Sequence, residues 1–329
     1  MSNQDKTRRI CVVQDFLTEK HKTQIQETAE NLNFKIWFYT SQEKEEAKKR
    51  VQDCEILYAQ SPDVLKAASE NLKWYAASSA GVDVYCKDPA LFANPNCLLT
   101  SANVYGVTIA EHVIMTALML LRRMPDYDIY TRKAQWPPRP LPVRSIRDGV
   151  FVILGTGNIG TNIADRLHGM GAAQVIGLSK SGRGNLSFDA VYSIDKLDEF
   201  LPKTEFLIMA LPATPDTVEI LNQRRIALLP ESAYIINIGR GNAIEQDALI
   251  NALNTNQIAG AALDVMTPEP LPSDSPLWTA KNLVLTPHVA GNMTLGYTAD
   301  ANVNLFCENL NRYANGEKLK CLIDRTRGY

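Results

Sequence analysis

Short apolar runs alternate with amphipathic stretches along the whole chain. In the first hundred residues these runs are rich in β-branched and aromatic side chains, and charged stretches such as 41–52 separate them. Short apolar runs with a helical pattern between them predict parallel strands joined by helices. The predicted strands are RRICVV, KIWFY, EILYA, LKWYAAS and CLLTSA.

A second alternation of the same kind begins at Gly149. Its predicted strands are VFVILG, VIGLS, FLIMALP, AYIINIG, IAGAALDV and NLVLTPH. Two α/β units, each with its own parallel sheet, are therefore expected in one chain. Between them lie an amphipathic helix over 107–123 and an arm whose four prolines between 137 and 142 preclude a regular helix. A further helix is predicted over 300–313.

Composition narrows the function only by exclusion. The 329 residues include 34 Lys plus Arg and 36 Asp plus Glu, a formal net charge of -2 that gives no electrostatic case for nucleic acid. The longest apolar stretch, 107–121, is interrupted by Glu111 and His112, so no membrane span is expected. The first residues lack a secretory pattern, and the cytoplasm is the expected compartment. Six scattered cysteines without a C-x-x-C pair indicate buried thiols and no metal site.

The glycine pattern G-x-G-x-x-G occurs at Gly155, Gly157 and Gly160, directly after a predicted strand and before an amphipathic helix. In that context the first glycine permits a tight turn, the second lets a pyrophosphate approach the backbone, and the third lets the helix pack on the strand. The pattern predicts a dinucleotide at the helix N-terminus, with a nicotinamide cofactor as the leading ligand. A methyltransferase-type nucleotide site and an ordinary glycine turn are the alternatives.

The end of the next strand bears on the choice of cofactor. An NAD enzyme places Asp or Glu there, against the ribose 2′-hydroxyl. Here VIGLS runs into Lys180, Ser181 and Arg183, and the next acidic residue is Asp189. These side chains, with Ser179, can bind a 2′-phosphate, so NADP is predicted as the preferred cofactor, with NAD possible. The alternative is a solvated basic turn in an enzyme that uses NAD.

Polar or charged residues follow three later strands, at the edge where open α/β sheets bind ligands. Arg240, Glu269 and His288 are suitable groups for reducing a 2-oxo acid. Arg240 can hold the substrate carboxylate and polarise the carbonyl, His288 can donate the proton, and Glu269 can keep the imidazole protonated. Each of them alone also has a structural explanation. His21 and His168 lie on predicted helices and are expected at the surface.

Seven segments, in this order, resemble the D-isomer-specific 2-hydroxyacid dehydrogenase family. They are SSAGVD (78–83), NVYGVTIAEH (103–112), GTGNIG (155–160), LPATPDT (211–217), NIGRGNAIEQDAL (237–249), ALDVMTPEP (262–270) and TPHVAG (286–291). Formate dehydrogenases of this family carry Gln where Glu269 stands, so the resemblance favours a reductase of small 2-oxo acids, which yields the D-2-hydroxy acid. Two departures from the family pattern, Ala213 and Met266, do not touch the proposed chemistry.

The resemblance implies that Arg240, Glu269 and His288 are catalytic. It implies that Ala80 and Gly81 bind the substrate with Arg240 and His288, and that Asp264 contacts the nicotinamide carboxamide. The implied cofactor-binding residues are Gly155, Gly157, Asn158, Ile159, Gly160, Ser179, Lys180, Ser181, Arg183, Leu211, Pro212, Thr217, Ile238, Gly239 and Asp264.

The family's fold implies a Rossmann dinucleotide-binding domain, 102–288, inserted in a flavodoxin-like substrate-binding domain, 1–101 and 289–329. It also implies a homodimer, with the 107–123 helix and the proline arm at the interface. A redox-sensing regulator that binds NAD(P) without physiological catalysis has the same fold and is the alternative function. A methyltransferase fits less well, because it leaves Arg240, Glu269 and His288 without a role.

Overall fold

The predicted strands lie in two parallel sheets, each in a separate unit of the chain. The structure is a computed structural model that describes residues 8–328. The described residues up to Val104 and from Asn292 onward form one unit, called unit 1, and Tyr105–Gly291 form the other, called unit 2. The predicted domain limits, after 101 and after 288, fall slightly before these positions.

Unit 1 contains a five-stranded parallel sheet in the order β2-β1-β3-β4-β5, the flavodoxin-like order. Helices follow most strands because a parallel connection must cross back over the sheet. The elements are β1 (Arg8–Val13), α1 (Glu19–Asn31), β2 (Phe34–Tyr39), α2 (Lys44–Val51), β3 (Ile56–Ala59), α3 (Pro62–Lys66), β4 (Trp74–Ala77), α4 (Asp83–Lys87) and β5 (Leu98–Thr100).

Unit 2 contains a seven-stranded parallel sheet in the order β12-β11-β10-β9-β6-β7-β8. Its first six strands in chain order have the Rossmann arrangement, and β12 extends one edge. The elements are α5 (Gly106–Leu121), α6 (Met124–Arg132), β6 (Val150–Leu154), α7 (Asn158–Gly169), β7 (Gln174–Ser179), β8 (Ala190–Ser193), α8 (Leu197–Phe200), β9 (Phe206–Met209), α9 (Gln223–Ile226), β10 (Tyr234–Asn237), α10 (Gln246–Asn254), β11 (Gly260–Leu263) and β12 (Leu283–Leu285).

The chain returns to unit 1 in α11 (Gly296–Ala314), a longer helix than the predicted 300–313. Side chains alternate along the strands of unit 1, so Ile10 enters the core that includes Phe306 of α11, while Cys11 enters the core on the other face. The prediction of a surface position for His21 was wrong. Only 3% of His21 is exposed, and its Nε2 lies 2.7 Å from Asp300 Oδ1.

Candidate active site

The glycine-rich turn joins β6 to α7. Gly155 has φ +102°, and a Cβ there would lie 2.6 Å from the Ala210 carbonyl oxygen. A Cβ on Gly160 would lie 2.0 Å from the Gly155 carbonyl oxygen, so helix and turn approach at a distance that only glycine permits. By contrast, no atom lies within 4 Å of a Cβ on Gly157, the N-cap of α7. The backbone is thus open where a helix N-terminus can receive a pyrophosphate.

The basic turn follows β7, next to the glycine-rich turn. Ser179 Oγ is buried and has no hydrogen-bond partner among the described residues. Lys180, Ser181 and Arg183 are exposed. Lys180 Nζ donates to Asp216 Oδ2 at 2.8 Å, and the Arg183 amide donates to Ser181 Oγ at 3.3 Å. The turn therefore presents cationic groups and an unpaired buried hydroxyl, which fit a phosphorylated ribose.

The loop after β9 faces the same edge and carries the predicted Leu211, Pro212 and Thr217. Thr217 Oγ1 donates a hydrogen bond to the Pro212 carbonyl oxygen at 2.7 Å. Asp216 of this loop is the partner of Lys180. The loop is closed on itself and linked to the basic turn by an ion pair.

Two of the three predicted catalytic side chains are hydrogen-bonded to each other. His288 Nδ1 lies 2.7 Å from Glu269 Oε2, and Glu269 Oε1 accepts from the Met266 amide at 3.0 Å. The Met266 amide fixes the carboxylate, and the carboxylate fixes the imidazole through Nδ1. Nε2 is left as the atom that can exchange a proton with a substrate. The side chains of His288 and Glu269 are 49% and 35% exposed, so a small molecule can reach them.

Arg240 follows β10 at the edge from which the loops of Glu269 and His288 also extend. Its Nη1 donates to the Gly239 carbonyl oxygen at 2.8 Å, and its own carbonyl accepts from Asn237 Nδ2 at 2.9 Å. A Cβ on the next residue, Gly241, would lie 2.2 Å from the carbonyl carbon of Met266. The arginine loop therefore packs directly on the residue whose amide holds Glu269. Ile238 and Gly239 are buried at the end of β10.

Asp264 holds the backbone of the His288 loop. It is 3% exposed. Its Oδ1 accepts from Thr286 Oγ1 at 2.7 Å and from the Val289 amide at 2.9 Å, and its Oδ2 accepts from the Ala290 amide at 2.9 Å. The Asp264 carbonyl oxygen accepts from the His288 amide at 2.8 Å. These bonds hold His288 at φ +56°, a backbone conformation that non-glycine residues adopt rarely and often at functional sites.

Sequence reasoning missed His112, on α5, and Thr286. His112 Nε2 lies 3.2 Å from Thr286 Oγ1 and 3.9 Å from Asp264 Oδ1. Because the Thr286 hydroxyl donates to Asp264, its oxygen can accept from a protonated Nε2 of neutral His112. Burial lowers the pKa of His112, against an opposing effect of the Asp264 charge. Both residues lie in segments that resemble the family, but no local pattern in the sequence predicts that they contact each other.

The remaining predicted residues belong to unit 1. Ala80 and Gly81 lie in the loop between β4 and α4 and are partly exposed. Ser79 Oγ donates to the Gly81 carbonyl oxygen at 2.8 Å, which tightens the loop. Their part in substrate binding stays a prediction.

Residues 8–328 contain neither a metal-binding cluster nor a membrane-spanning helix. No group of three or more His, Cys, Asp or Glu side chains there is arranged to hold a metal ion. None of the helices in the same range has the length and apolar character needed to cross a membrane.

Known proteins resemble this chain over nearly its whole length. Residues 114–290 match the profile described as "D-isomer specific 2-hydroxyacid dehydrogenase, NAD binding domain". Glyoxylate/hydroxypyruvate reductase A of Escherichia fergusonii is 34% identical over 278 residues, which cover 82% of this chain and 85% of that protein.

Two solved structures extend the comparison. A D-isomer specific 2-hydroxyacid dehydrogenase family protein from Aeromonas salmonicida has a TM-score of 0.82 and 30% identity, with 97% of this chain and 99% of that one covered. The NADPH-dependent glyoxylate/hydroxypyruvate reductase of Sinorhizobium meliloti, solved with NADP and sulfate, has a TM-score of 0.81 and 26% identity, with 98% and 100% covered.

Proposed function

Because the chain belongs to the D-isomer specific 2-hydroxyacid dehydrogenase family, we propose that it reduces a small 2-oxo acid to the D-2-hydroxy acid, with NADPH as the preferred reductant. The observation that carries the proposal is the 2.7 Å contact between His288 Nδ1 and Glu269 Oε2 on the edge that also carries Arg240 and the glycine-rich turn. The relatives named above lend no support to the alternative of a redox-sensing regulator.

Each of the three proposed catalytic residues has a separate role. Arg240 binds the substrate carboxylate with its planar fork of donors and draws electron density from the adjacent carbonyl. His288 donates a proton from Nε2 to the carbonyl oxygen as the alcohol forms. Glu269, held by the Met266 amide, orients the imidazole through Nδ1. The backbone at Ala80 and Gly81 is the second proposed contact of the substrate carboxylate.

The residues of the glycine-rich and basic turns fit a nicotinamide dinucleotide. When bound, NADPH supplies the hydride that reduces the substrate carbon. The open backbone at Gly157 and the N-terminus of α7 would hold the pyrophosphate, next to Asn158 and Ile159. Ser179 and Arg183, with Lys180 and Ser181, would bind the 2′-phosphate. NAD lacks this phosphate and would bind without the four contacts. The loop with Leu211, Pro212 and Thr217, and Ile238, Gly239 and Asp264, would line the cofactor.

We propose a homodimer from the exposed apolar side chains and a compartment from the cysteines. In the part of the chain that the structure describes, α6 and the proline arm expose large apolar side chains, including Ile129 at 53% and Trp136 at 94%, which supports a homodimer through this surface. α5 itself is largely buried within unit 2, so the proposed contact involves α6 and the arm.

All six cysteines are free thiols, which supports a reducing compartment such as the cytoplasm.

The unit roles are proposed from the same features. Unit 2 would be the dinucleotide-binding domain because it contains the glycine-rich turn, and unit 1 would be the substrate-binding domain because it contains Ala80 and Gly81.

A panel of glyoxylate, pyruvate and hydroxypyruvate with NADPH and with NADH tests the function. We expect absorbance loss with at least one acid and a higher kcat/KM with NADPH. Arg240→Ala should lower kcat/KM about 10²-fold or more while NADPH titration stays intact, because the removed contact is to the acid. His288→Ala should be nearly inactive. Full activity of both variants, or equal loss of NADPH binding in Arg240→Ala, would contradict the assigned roles.

A further inference from the structure

An ion pair within unit 2 joins the two loops on either side of the glycine-rich turn. Lys180 directly follows β7, and Asp216 lies in the loop after β9. Lys180 Nζ donates to Asp216 Oδ2 at 2.8 Å. We call this pair the Lys180–Asp216 bridge.

The strand order shows which part of the sheet the bridge spans. In the order β9-β6-β7, strand β6 lies between the two strands whose loops carry the bridge. Neighbouring strands are about 4.8 Å apart, so β7 and β9 are separated by roughly 10 Å, a distance that a lysine side chain and an aspartate can span together. The glycine-rich turn begins where β6 ends, at Leu154. The bridge therefore connects the two flanks of the proposed dinucleotide site.

Asp216 supplies the basic turn with a carboxylate that the chain after β7 lacks. The sequence has no acidic residue between Lys180 and Phe188. The next one, Asp189, accepts from the Val175 amide at 2.7 Å, near the start of β7 and thus toward the opposite edge of the sheet. A carboxylate beside the ribose is the group with which dinucleotide-binding folds favour a 2′-hydroxyl over a 2′-phosphate. Here that group comes from the loop after β9.

The backbone under Asp216 is held firmly, whereas its ion pair is open to solvent. Thr217 Oγ1 lies 2.7 Å from the Pro212 carbonyl oxygen and accepts from the Thr214 amide at 2.9 Å, which closes the loop around Asp216. The side chains of Lys180 and Asp216 are both 71% exposed. Water and salt weaken an ion pair of this kind, so the lysine can also bind another anion.

We infer that Asp216 is a specificity-determining residue that weakens binding of the 2′-phosphate, so that the preference for NADP over NAD is smaller than the basic turn alone would give. The inference rests on the proposed function, in which Lys180 binds that phosphate, and adds a residue that limits the preference. Asp216 competes with the phosphate for the Lys180 ammonium, and its own charge repels the phosphate. NAD has a neutral hydroxyl at this position, so neither effect applies to it.

The length of the ion pair sets the size of the effect. If Lys180 Nζ contacts both groups, the phosphate oxygen lies at most about 6 Å from Asp216 Oδ2, because the ion pair is 2.8 Å long and a phosphate contact has a similar length. That separation is shorter than the Debye length of about 8 Å at physiological ionic strength, so salt screens the repulsion only in part. At about 6 Å in water, loss of one negative charge beside a phosphate changes a dissociation constant by about threefold to tenfold.

The test measures the dissociation constants of 2′,5′-ADP and 5′-AMP by calorimetry and those of NADPH and NADH by fluorescence. The first two ligands differ only in the 2′-phosphate, and neither takes part in a reaction. Asp216→Asn should bind 2′,5′-ADP and NADPH about threefold to tenfold more tightly than the wild type, with 5′-AMP and NADH unchanged within about twofold. In about 0.5 M NaCl the gain should fall below about twofold, because salt screens both effects. Asp274→Asn, with the same charge change at another exposed position of unit 2, is the matched control and should leave all four constants unchanged.

A double-mutant cycle tests whether the effect passes through the bridge. Lys180→Gln removes the ammonium and keeps a polar side chain. In that background Asp216→Asn should gain less affinity for 2′,5′-ADP than it does in the wild type, because the competition is gone and only the repulsion remains. An equal gain in both backgrounds would overturn the bridge as the cause.

Other outcomes overturn the inference in distinguishable ways. If Asp216→Asn binds NADH and 5′-AMP more weakly, the carboxylate is a ligand of the ribose. If all four constants stay the same while the melting temperature falls, the ion pair is structural. If the wild type binds 2′,5′-ADP no more tightly than 5′-AMP, the proposed NADP preference fails together with the inference. Whether a 2-oxo acid is reduced is decided separately, by the panel of acids.

Discussion

Replacement of Asp264 by Asn tests whether the His288 loop depends on a buried carboxylate. The carboxylate accepts three hydrogen bonds, from Thr286 and from the amides of Val289 and Ala290. Asn offers one oxygen, so at least one donor loses its acceptor and meets an N–H group instead. A hydrogen bond to a charged group contributes about 1.5–3 kcal/mol, and the remaining buried donor adds a desolvation cost of similar size.

We therefore expect Asp264→Asn to lower the free energy of unfolding by about 2–4 kcal/mol. For a unit of this size that corresponds to a melting temperature lower by roughly 4–15 °C. Because the Asp264 carboxylate holds the amides of Val289 and Ala290, which directly follow His288, kcat should fall as well. Thr286→Val removes one of the three donors and should cost less, about 1 kcal/mol.

The assay is thermal unfolding followed by circular dichroism, with steady-state reduction measured on the same preparations. Asp274→Asn is the matched control, because Asp274 is exposed in the same unit and the charge change is identical. A melting temperature of Asp264→Asn within 1 °C of the control, with kcat retained, would refute the positioning role of the carboxylate.

Two further predictions concern the cofactor turn and a buried histidine. Arg183→Ala should raise KM for NADPH about tenfold or more and leave KM for NADH unchanged, because it removes a charged donor to the 2′-phosphate; an equal rise for both cofactors would contradict that contact. Burial lowers the pKa of His112 from its ordinary 6.5, so the folded state binds this proton less tightly than the unfolded chain. The resulting stability is present above pH 6.5 and is lost as pH falls through the lower folded-state pKa. The melting-temperature advantage of the wild type over His112→Gln should therefore shrink from pH 7.5 to pH 5, and a constant difference would oppose this reasoning.

Much of the fold could be predicted because its signals are local. Strands buried on both faces are continuous apolar runs, and the predicted RRICVV is β1 without a change of boundary. The three glycines at 155–160, between an apolar run and an amphipathic stretch, predicted a tight turn from a strand into a helix. By contrast, β8 (Ala190–Ser193) was missed, because an edge strand that is partly exposed lacks such a run. Helix α6 was also missed, because proline usually interrupts a helix. Pro125, however, stands in the first turn of α6, where proline is tolerated.

Contacts between distant residues were the part that the sequence could not supply. Strand-end position suggested that Glu269 and His288 meet, and they are hydrogen-bonded. Nothing local pairs His112 with Thr286, which lie 174 positions apart and meet only when α5 packs on the sheet. His21 was misjudged for the same reason, because its partner Asp300 arrives from the far end of the chain.

Because unit 2 is inserted in the chain of unit 1, unit 2 is fully synthesised before unit 1. Once Gly291 has left the ribosome, every residue of unit 2 is available, and this unit can fold while translation continues. Unit 1 cannot complete its folding until α11 is synthesised, because Phe306 and Leu310 of this helix belong to one of its cores. Until then, the nascent chain carries an apolar sheet face with incomplete cover, and this is the stage at which a chaperone would bind it.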